Sequence, residues 1–362
     1  MIIQRYLLRE IALSFLAVSL VLGLMFLSGT FVRLLAETLE GRYPADLLFS
    51  LFALRSVGSM VLLMPFALFM AVMLALGRFY RDSEMTVLSA CGFGPLQLFR
   101  TVALAALSGA LLVGGLSLWV APWAETRSAM VVAEAGVRTG VEGIMPGQFN
   151  TLPGGSVVYV EQVDTASKQL QGIFAVLQNE GEQYQLSAAK GREYLDQASG
   201  DRYLLLEDGY RYEGQHGQAA FRIMYFAEHG IRIQERAVPP AAQRRSGSSS
   251  LELWRSRIAA DQIELQWRLA MPLTTLLLAL LAVPLSRSSP RQGRMLGLFL
   301  GVVVYMAYNN ALSIGRSMLN AGEIPLWLGL WWVHLLVVGL IAWLLWRQLS
   351  MSVPRRNSKV AV

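Results

Sequence analysis

The residues best suited to chemistry lie in a short polar loop between two long apolar segments. The loop covers residues 77–95 and holds the acidic residues Asp82 and Glu84 beside Arg81. Asp82 or Ser83 can cap a helix at this point. Charges arranged in this way bind an oppositely charged partner or stabilise the end of a helix. They do not form a catalytic pair of carboxylates.

The loop is predicted to contain a cytoplasmic helix of about two turns, ended by the stretch Gly92–Pro95. One interpretation is an interfacial helix whose Glu84 complements the helix dipole. The other is a coupling helix, which fits a groove on a cytoplasmic ATPase and passes its motion to the membrane. The residues that would do so are Arg81, Glu84, Met85 and Leu88, with Met85 and Leu88 on one face.

Known catalytic spacings are absent from the rest of the sequence. It contains no G-x-S-x-G or H-E-x-x-H motif, and no lysine follows any glycine, so it lacks a P-loop. Cys91 is the single cysteine, and His216, His229 and His334 lie far apart. The sequence therefore predicts a protein that is not an enzyme and has no cofactor or metal. If its function requires ATP and Mg2+, a partner subunit must bind them.

The composition indicates an integral membrane protein. Hydrophobic residues make up 54% and charged residues 15% of the chain, with a mean hydropathy of +0.44. Soluble domains carry about 25% charged residues, and a membrane-spanning helix needs about 20 mostly apolar ones. Six segments meet this need: Ile11–Leu35, Leu51–Leu76, Leu98–Ala121, Leu265–Leu285, Met295–Ile314 and Pro325–Trp346.

The arginines that flank these segments predict the orientation of the chain. Clusters that begin at Arg5, Arg78, Arg287 and Arg347 lie on one side, and acidic residues offset the arginines of the opposite loops. By the positive-inside rule both termini are cytoplasmic. This placement accounts for the net charge of +6, and no basic stripe with interleaved aromatics indicates binding to nucleic acid.

The segment from Pro122 to Glu264 is predicted to lie outside and to contain an antiparallel sandwich, barrel or jelly roll. The predicted strands are 156–163, 172–178, 184–188, 203–206 with 210–212, and 221–226. The side chains expected to point inward, as a core or as a lipid conduit, are Tyr159, Phe174, Val176, Leu186, Leu204, Leu206, Phe221 and Tyr225. The stretch 238–250 is a predicted linker, and Leu251–Leu265 a helix leading into the fourth span. The predicted domains are residues 1–121, 122–250 and 251–350, followed by a tail, 351–362.

Three motifs closely resemble those of one family. They are residues 4–10 (Gln-Arg-Tyr-Leu-Leu-Arg-Glu), the loop 77–95 with its Arg-Asp-Ser-Glu-Met sequence, and residues 284–294 (Pro-Leu-Ser-Arg-Ser-Ser-Pro-Arg-Gln-Gly-Arg). These motifs are similar to those of the LptF/LptG permeases of lipopolysaccharide export, and the resemblance covers nearly the whole chain. The short N-terminus and the region of Arg33 are more similar to the LptF branch.

The resemblance implies a six-span permease of the Gram-negative inner membrane with a periplasmic β-jellyroll. It implies a heterodimer with a sibling permease (LptG) above a dimeric cytoplasmic ATPase (LptB), regulated by a single-span subunit (LptC). Such a pair extracts lipopolysaccharide sideways from the outer leaflet and passes it to a periplasmic bridge. The resemblance also places Glu84 at the acidic position of the family's coupling helix.

Lipopolysaccharide has phosphates at the membrane surface and acyl chains below them. Its permease therefore needs cations at the outer interface above an apolar cavity. Arg33, at the outer end of the first span, is the first candidate for a phosphate contact, and Arg55 is the second. The alternative is a snorkelling arginine that anchors the helix end. The candidates for the apolar cavity are Leu24, Phe26, Leu27, Phe31, Met60, Leu63 and Phe66.

The fifth span carries Gly297 and Gly301 in a Gly-x-x-x-Gly motif, followed by Tyr305. Small residues at this spacing permit the close approach of two helices. Simple helix packing explains the motif about as well as a moving gate does. Our hypothesis is that this span and the first span of the sibling form one gate.

Two other functions remain as alternatives, and the sequence argues against a third. An ABC permease for another lipid or for lipoproteins would usually have four spans, with its large domain after the first. A membrane-anchored receptor or assembly protein would not need a coupling helix. A secondary transporter would need charged groups inside its spans, and here only His334 lies well inside one, where a hydrogen bond to a neighbouring helix is the simpler explanation.

Overall fold

The computed structural model of the protein describes residues 2–39, 43–138, 146–151, 157–164, 169–179, 182–195, 202–213, 222–233, 245–287 and 294–352. The chain forms two compact units. The first unit comprises Met1–Phe31, Ala53–Thr126 and Ala242–Val362, and it holds most of the helices. The second comprises Val32–Phe52 and Arg127–Ala241, and it holds the β-strands.

Nine α-helices occur in the described part of the chain. They are α1 (Ile2–Leu39), α2 (Leu48–Arg81), α3 (Glu84–Ala90), α4 (Pro95–Gly115), α5 (Ala121–Arg138), α6 (Ser250–Arg255), α7 (Ala259–Leu285), α8 (Arg294–Ala321) and α9 (Trp331–Ser352). A π-helical turn, Leu116–Val120, joins α4 to α5 without interruption.

Among the residues that the structure describes, five helical stretches are long and apolar enough to cross a membrane: Ile2–Leu39, Ala45–Arg81, Pro95–Ala133, Ala259–Leu285 and Gly297–Ala321. They overlap the first five predicted spans, and most extend beyond them because polar residues continue the helices at their ends. The sixth predicted span, Pro325–Trp346, corresponds to a shorter apolar helix, Trp331–Arg347.

α2 and α7 form the centre of the helical unit. In the most apolar part of α7 67% of the residues are buried, compared with 11% in α1. The main core includes Phe69 and Phe79 of α2, Leu278 of α7 and Leu312 of α8. α1 leaves most of its apolar surface uncovered within the described chain, so this surface must face lipid or another subunit.

The predicted helix Leu251–Leu265 is wrong in one respect, since two helices occupy this stretch. Ser256 interrupts them with extended backbone angles (φ −70°, ψ 138°). Its hydroxyl donates a hydrogen bond of 2.6 Å to Asp261 in the first turn of α7. Ser249 and Glu252 form a capping box at the start of α6. These caps make α6 a separate short helix before the fourth long one.

The described residues of the second unit form one antiparallel sheet of six strands in chain order. The strands are β1 (Phe149–Thr151), β2 (Val157–Asp164), β3 (Gln169–Asn179), β4 (Glu182–Leu195), β5 (Arg202–Glu213) and β6 (Arg222–Ile233). The predicted strands overlap β2 to β6, and the two short predictions 203–206 and 210–212 are parts of the continuous strand β5.

One face of the sheet is buried. Its side chains from β2 to β6 pack against one another, and the register aligns Val160 with Ile173 and Ile173 with Ala188. Leu186, Leu204 and Leu206 point into this core, as predicted. The prediction was wrong for Tyr159, Phe174, Val176 and Tyr225, which lie on the opposite face. Tyr159 is in register with Phe174, Val176 with Val157, and Tyr225 with Tyr210. Phe221 lies outside the described residues.

Two groups on the sheet have shifted pKa values. Asp208 accepts a hydrogen bond of 3.0 Å from the Tyr225 hydroxyl, and this bond and the carboxylate charge raise the pKa of Tyr225. Burial and the neighbouring charge of Arg211 lower the pKa of His229 from its ordinary value of 6.5. His229 is therefore mostly neutral at pH 7.

Candidate functional site

The predicted coupling helix is present as α3, a helix of seven residues. Ser83 occupies the N-cap position, but its backbone is left-handed (φ 58°) and its side chain makes no capping hydrogen bond. Asp82 pairs instead with Arg81, at 3.1 Å. The N-terminus of α3 is therefore not fixed by the side chain of its own cap residue.

The C-terminus of α3 is fixed by a Schellman motif. The N–H of Phe93 donates to the Leu88 carbonyl at 2.9 Å, and the N–H of Gly92 donates to the Ser89 carbonyl at 3.0 Å. Gly92 has a φ of +88°, which a residue with a Cβ rarely adopts. The side chain of Phe93 is buried in the core and holds the end of α3 against the bundle.

Met85 and Leu88 share one face of α3, and this face points into the helical unit. Met85 is 6% exposed, and Leu88 is half-buried against the same core. Val87, by contrast, is 62% exposed, and Glu84 is half-buried. Met85 and Leu88 thus anchor α3, while Glu84 and Val87 remain accessible to a partner. Sequence reasoning missed Val87, although its i, i+3 spacing from Glu84 places the two side chains together.

The first turns of α1 contact α3 and the end of α2. The Tyr6 hydroxyl donates a hydrogen bond of 3.2 Å to Glu84. Glu10, one turn further along α1, forms an ion pair of 2.8 Å with Arg78. The sequence analysis did not identify these contacts. The i, i+4 spacing of Tyr6 and Glu10 was a signal that both lie on one face of α1.

The candidate lipid-contact residues of α1 differ in exposure. Arg33 is exposed, and within the described residues no ion pair neutralises it. Leu24 and Phe26 are also exposed, whereas Leu27 and Phe31 are half-buried. Arg33, Leu24 and Phe26 are therefore the accessible candidates on α1. Arg55, the second candidate cation, is half-buried.

The candidate apolar residues of α2 contact other helices. A Cβ added at Gly23 of α1 would lie 3.7 Å from Met60. Leu63 is buried, and Phe66 packs on Tyr305 of α8 with ring centroids 4.4 Å apart. This part of α2 therefore lies at the contact between α1, α2 and α8.

The two glycines of α8 have different surroundings. A Cβ added at Gly301 would lie 3.3 Å from the Phe69 ring, so this glycine allows α8 to approach α2 closely. A Cβ added at Gly297 would meet no described atom within 4 Å. The geometry thus associates Gly301 and Tyr305 with the contact to α2 and leaves Gly297 open to another neighbour.

His334 of α9 accepts or donates a hydrogen bond of 2.6 Å with the Tyr308 hydroxyl of α8, through Nδ1. Its ring also stands edge-on to Tyr308 and lies 6.0 Å from the Trp331 ring, between centroids. Nε2 of His334 has no hydrogen-bond partner among the described residues. His334 therefore joins two helices, and no polar chain continues from it in the described part of the protein.

A buried arginine holds the segment that returns from the second unit. Arg268 of α7 is only 4% exposed. It forms an ion pair with Glu264, which also pairs with Arg316 of α8 at 2.6 Å. All five guanidinium N–H groups of Arg268 are used in hydrogen bonds between 2.9 and 3.3 Å. Their acceptors are the Glu264 carboxylate, the Ser250 hydroxyl and the backbone carbonyls of Arg245, Ser246 and Ser248.

These helices and the sheet define a multi-pass membrane protein with a β-domain inserted between its third and fourth long apolar helices. The family model for the lipopolysaccharide export system permease LptF/LptG matches residues 5–347. The chain is 30% identical over 367 aligned positions to the lipopolysaccharide export system permease protein LptF of Escherichia coli strain K12, covering 99% of this chain and 100% of that protein. The LptF protein of Shigella flexneri gives the same values. The chain therefore belongs to the LptF/LptG family, which confirms the resemblance of its motifs.

Proposed function

We propose that this chain is an LptF-type permease subunit of an ABC transporter that exports lipopolysaccharide from the inner membrane. The observation that carries the proposal, beside the family, is the construction of α3. Met85 and Phe93 anchor this helix in the core, and Glu84 and Val87 remain accessible. A protein that merely anchored a β-domain would not need a fixed helix with an acidic group at its exposed end.

In this proposal the chain has six spans, with both termini in the cytoplasm and the β-domain in the periplasm. α9 has 22 residues and a length of about 33 Å, which is enough to cross the hydrocarbon core. Arg78 and Arg81 directly precede α3, and Arg287 follows α7. The positive-inside rule places these arginines, and α3 with them, in the cytoplasm.

The proposed partners follow from this orientation. A cytoplasmic ATPase of the LptB kind binds ATP and Mg2+ and contacts α3. A sibling permease, LptG, covers part of the exposed apolar surface of α1 and α8, and the two chains form the lateral gate there. Gly297 is suited to that contact because no side chain in the described part of the chain fills the space beside it. A single-span regulator of the LptC kind packs between the helices.

The proposed substrate site begins at Arg33 and continues along the apolar residues of α1. The guanidinium of Arg33 can hold a lipid phosphate with two hydrogen bonds, and the exposure of this side chain leaves it available. Leu24 and Phe26 lie further along the same helix and are exposed to acyl chains. This arrangement matches a lipid with phosphates at the interface and acyl chains below.

We expect Arg33→Gln to reduce lipopolysaccharide transport about tenfold, because a charge-assisted contact with phosphate is lost. The measurement is ATP-dependent release of lipopolysaccharide from proteoliposomes that contain the complete transporter. Arg100→Gln is the matched control, since Arg100 is an exposed arginine near the start of α4, at the proposed cytoplasmic end. Equal rates for the two variants would remove Arg33 from the substrate site.

The β-domain is proposed to be a jellyroll that receives the acyl chains. Its support is the apolar face formed by residues such as Val160, Ile173, Leu186 and Leu206, which extends across β2 to β5. In the structure these side chains pack against one another, so the lipid must displace these contacts to enter. The opposite face offers the alternative path, because Tyr210 and Tyr225 expose a pair of rings in edge-to-face contact there.

Photocrosslinking tests the export function and the path together. A photoreactive residue at Leu186 or Leu206 is expected to label lipopolysaccharide only when the transporter hydrolyses ATP. The same residue at Tyr210 or Tyr225 serves as the control for the opposite face. Labelling at the tyrosines alone would move the path to that face. ATP-independent labelling or none at any site would favour a receptor whose helices only anchor it.

A further inference from the structure

The Tyr6 ring is held in one position at the end of the helical unit. It packs edge-on against Phe79, with ring centroids 5.5 Å apart and an angle of 66° between the planes. Phe79 is completely buried in the main core. The packing of the ring leaves the hydroxyl at the surface, where it donates to Oε2 of Glu84. The position of Tyr6 therefore decides where one oxygen of Glu84 lies.

A second polar contact fixes the same part of α1. The Glu10 carboxylate pairs with the Arg78 guanidinium, which also lies over the Phe79 ring at 5.3 Å from its centroid. Leu7 and Ile11, on the same side of α1, are buried in the core. Apolar packing and the Glu10–Arg78 pair thus join α1 to the end of α2, and the Tyr6–Glu84 hydrogen bond joins α1 to α3.

Glu84 receives no comparable support from its own helix. α3 has seven residues, and Ser83 provides no side-chain cap at its start. The Schellman motif holds the opposite end of α3, around Gly92. The hydrogen bond from Tyr6 is thus the contact that orients the Glu84 carboxylate toward a defined position, and it comes from a different helix.

α1 is suited to carry a movement from this end along the apolar part of the helix. It is one continuous helix of 38 residues without proline, about 57 Å long. α2, in contrast, contains Pro65, and a proline inside a helix is a common point of bending. Between Tyr6 and Phe26, α1 contains no proline and no Gly/Ser pair, so a displacement of Tyr6 is transmitted along this part of α1 rather than absorbed by a kink.

We propose that Tyr6 is a positioning residue for Glu84, and that Tyr6 with the Glu10–Arg78 ion pair makes α1 the span that the coupling helix moves. This inference rests on the function proposed above, in which α3 contacts the ATPase. When α3 moves with the ATPase, the hydroxyl of Tyr6 transfers the displacement to α1, and the Glu10–Arg78 pair keeps the start of α1 on the adjoining end of α2. Leu24 and Phe26 of α1 then move with the same helix.

The test is Tyr6→Phe, which removes only the hydroxyl and keeps the ring on Phe79. The complete transporter is reconstituted in liposomes, and two quantities are measured: the amount of ATPase that copurifies and the lipopolysaccharide released per ATP hydrolysed. We expect unchanged ATPase binding and a fall of about fivefold in the ratio of lipid to ATP. Tyr80→Phe is the control, because it removes the same group from a half-buried tyrosine at the same end of α2.

A double variant separates positioning from a merely structural role. If Tyr6 acts through Glu84, adding Tyr6→Phe to Glu84→Met lowers the ratio no further, because methionine has no oxygen to accept the bond and each change removes the same interaction. Additive effects, an unchanged ratio in Tyr6→Phe, or a loss of bound ATPase in that variant would each overturn the inference.

The failure of this inference can be told apart from failure of the proposed function. If Glu84→Arg abolishes ATPase binding while Tyr6→Phe leaves the ratio at its normal value, α3 is the coupling helix and only the role of Tyr6 is wrong. If Glu84→Arg keeps both the ATPase and normal transport, the coupling function of α3 itself is wrong, and the role of Tyr6 falls with it.

Discussion

Arg268→Met is expected to lower the apparent Tm of the detergent-solubilised protein by about 5 °C, a loss of roughly 3 kcal/mol. Methionine fills a similar volume but donates no hydrogen bond. The carbonyls of Arg245, Ser246 and Ser248 would lose their charged donor at Arg268, and hydrogen bonds to charged groups are the stronger ones. Arg316 keeps its contact with Glu264, so the buried carboxylate retains one cation.

Arg245→Met is the matched control for this experiment. The side chain of Arg245 is 59% exposed and pairs with Asp261 at 3.3 Å, a surface contact worth at most about 1 kcal/mol. Its carbonyl stays in place for Arg268, because only the side chain changes. The Tm of each purified protein is measured by intrinsic fluorescence. Equal shifts in the two variants would show that the Arg268 hydrogen bonds contribute little to stability.

The spans were predictable because a membrane imposes a length and a composition on each helix. Their ends were not, since polar residues continue α1, α2 and α5 well past the apolar windows. The break between α6 and α7 also escaped prediction. It depends on the hydrogen bond from Ser256 to Asp261, and nothing in the hydrophobic pattern distinguishes it from a continuous helix.

Five of the six described β-strands were predicted, β1 was missed, and the buried face was predicted only in part. The alternation of β2 offers two sets of apolar side chains, Val158 with Val160 and Val157 with Tyr159. Aromatic residues suggested that the second set is the core, whereas the structure buries the first. Either set is consistent with the pattern alone. The cross-strand neighbours decide the matter, because Ala175 and Leu186 lie in register with Val158 and bury it.

Some of the functional residues could be predicted from the sequence, and others could not. Glu84 was identifiable because it follows a capping position in a short polar loop and matches a family motif. Tyr6 and Arg268 were not, because their partners lie far along the chain, at Glu84 and at residues 245–250. In the sequence Arg268 and Glu264 have the spacing of an ordinary surface pair. Only the fold shows that this arginine is buried and bound to backbone carbonyls.

Glu84→Arg is expected to reduce the copurifying ATPase at least about tenfold and to abolish ATP-dependent release of lipopolysaccharide. The substitution reverses the charge at the accessible start of α3 and places it near Arg78 and Arg81. The hydrogen bond from Tyr6 is lost as well, since arginine cannot accept it. Met85 and the Schellman motif remain, so α3 should still be folded.

Glu323→Arg provides the matched control for this charge reversal, because Glu323 is an exposed acid between α8 and α9, on the proposed periplasmic side. It is expected to keep both the ATPase and transport. The assay is affinity purification of the tagged chain from solubilised membranes, with quantification of the ATPase, the sibling permease and bound lipopolysaccharide. A Glu84→Arg protein that loses the ATPase but retains the sibling and the lipid would assign Glu84 specifically to coupling. Retention of all three together with normal transport would exclude α3 as the contact and leave the ATPase to bind another cytoplasmic segment.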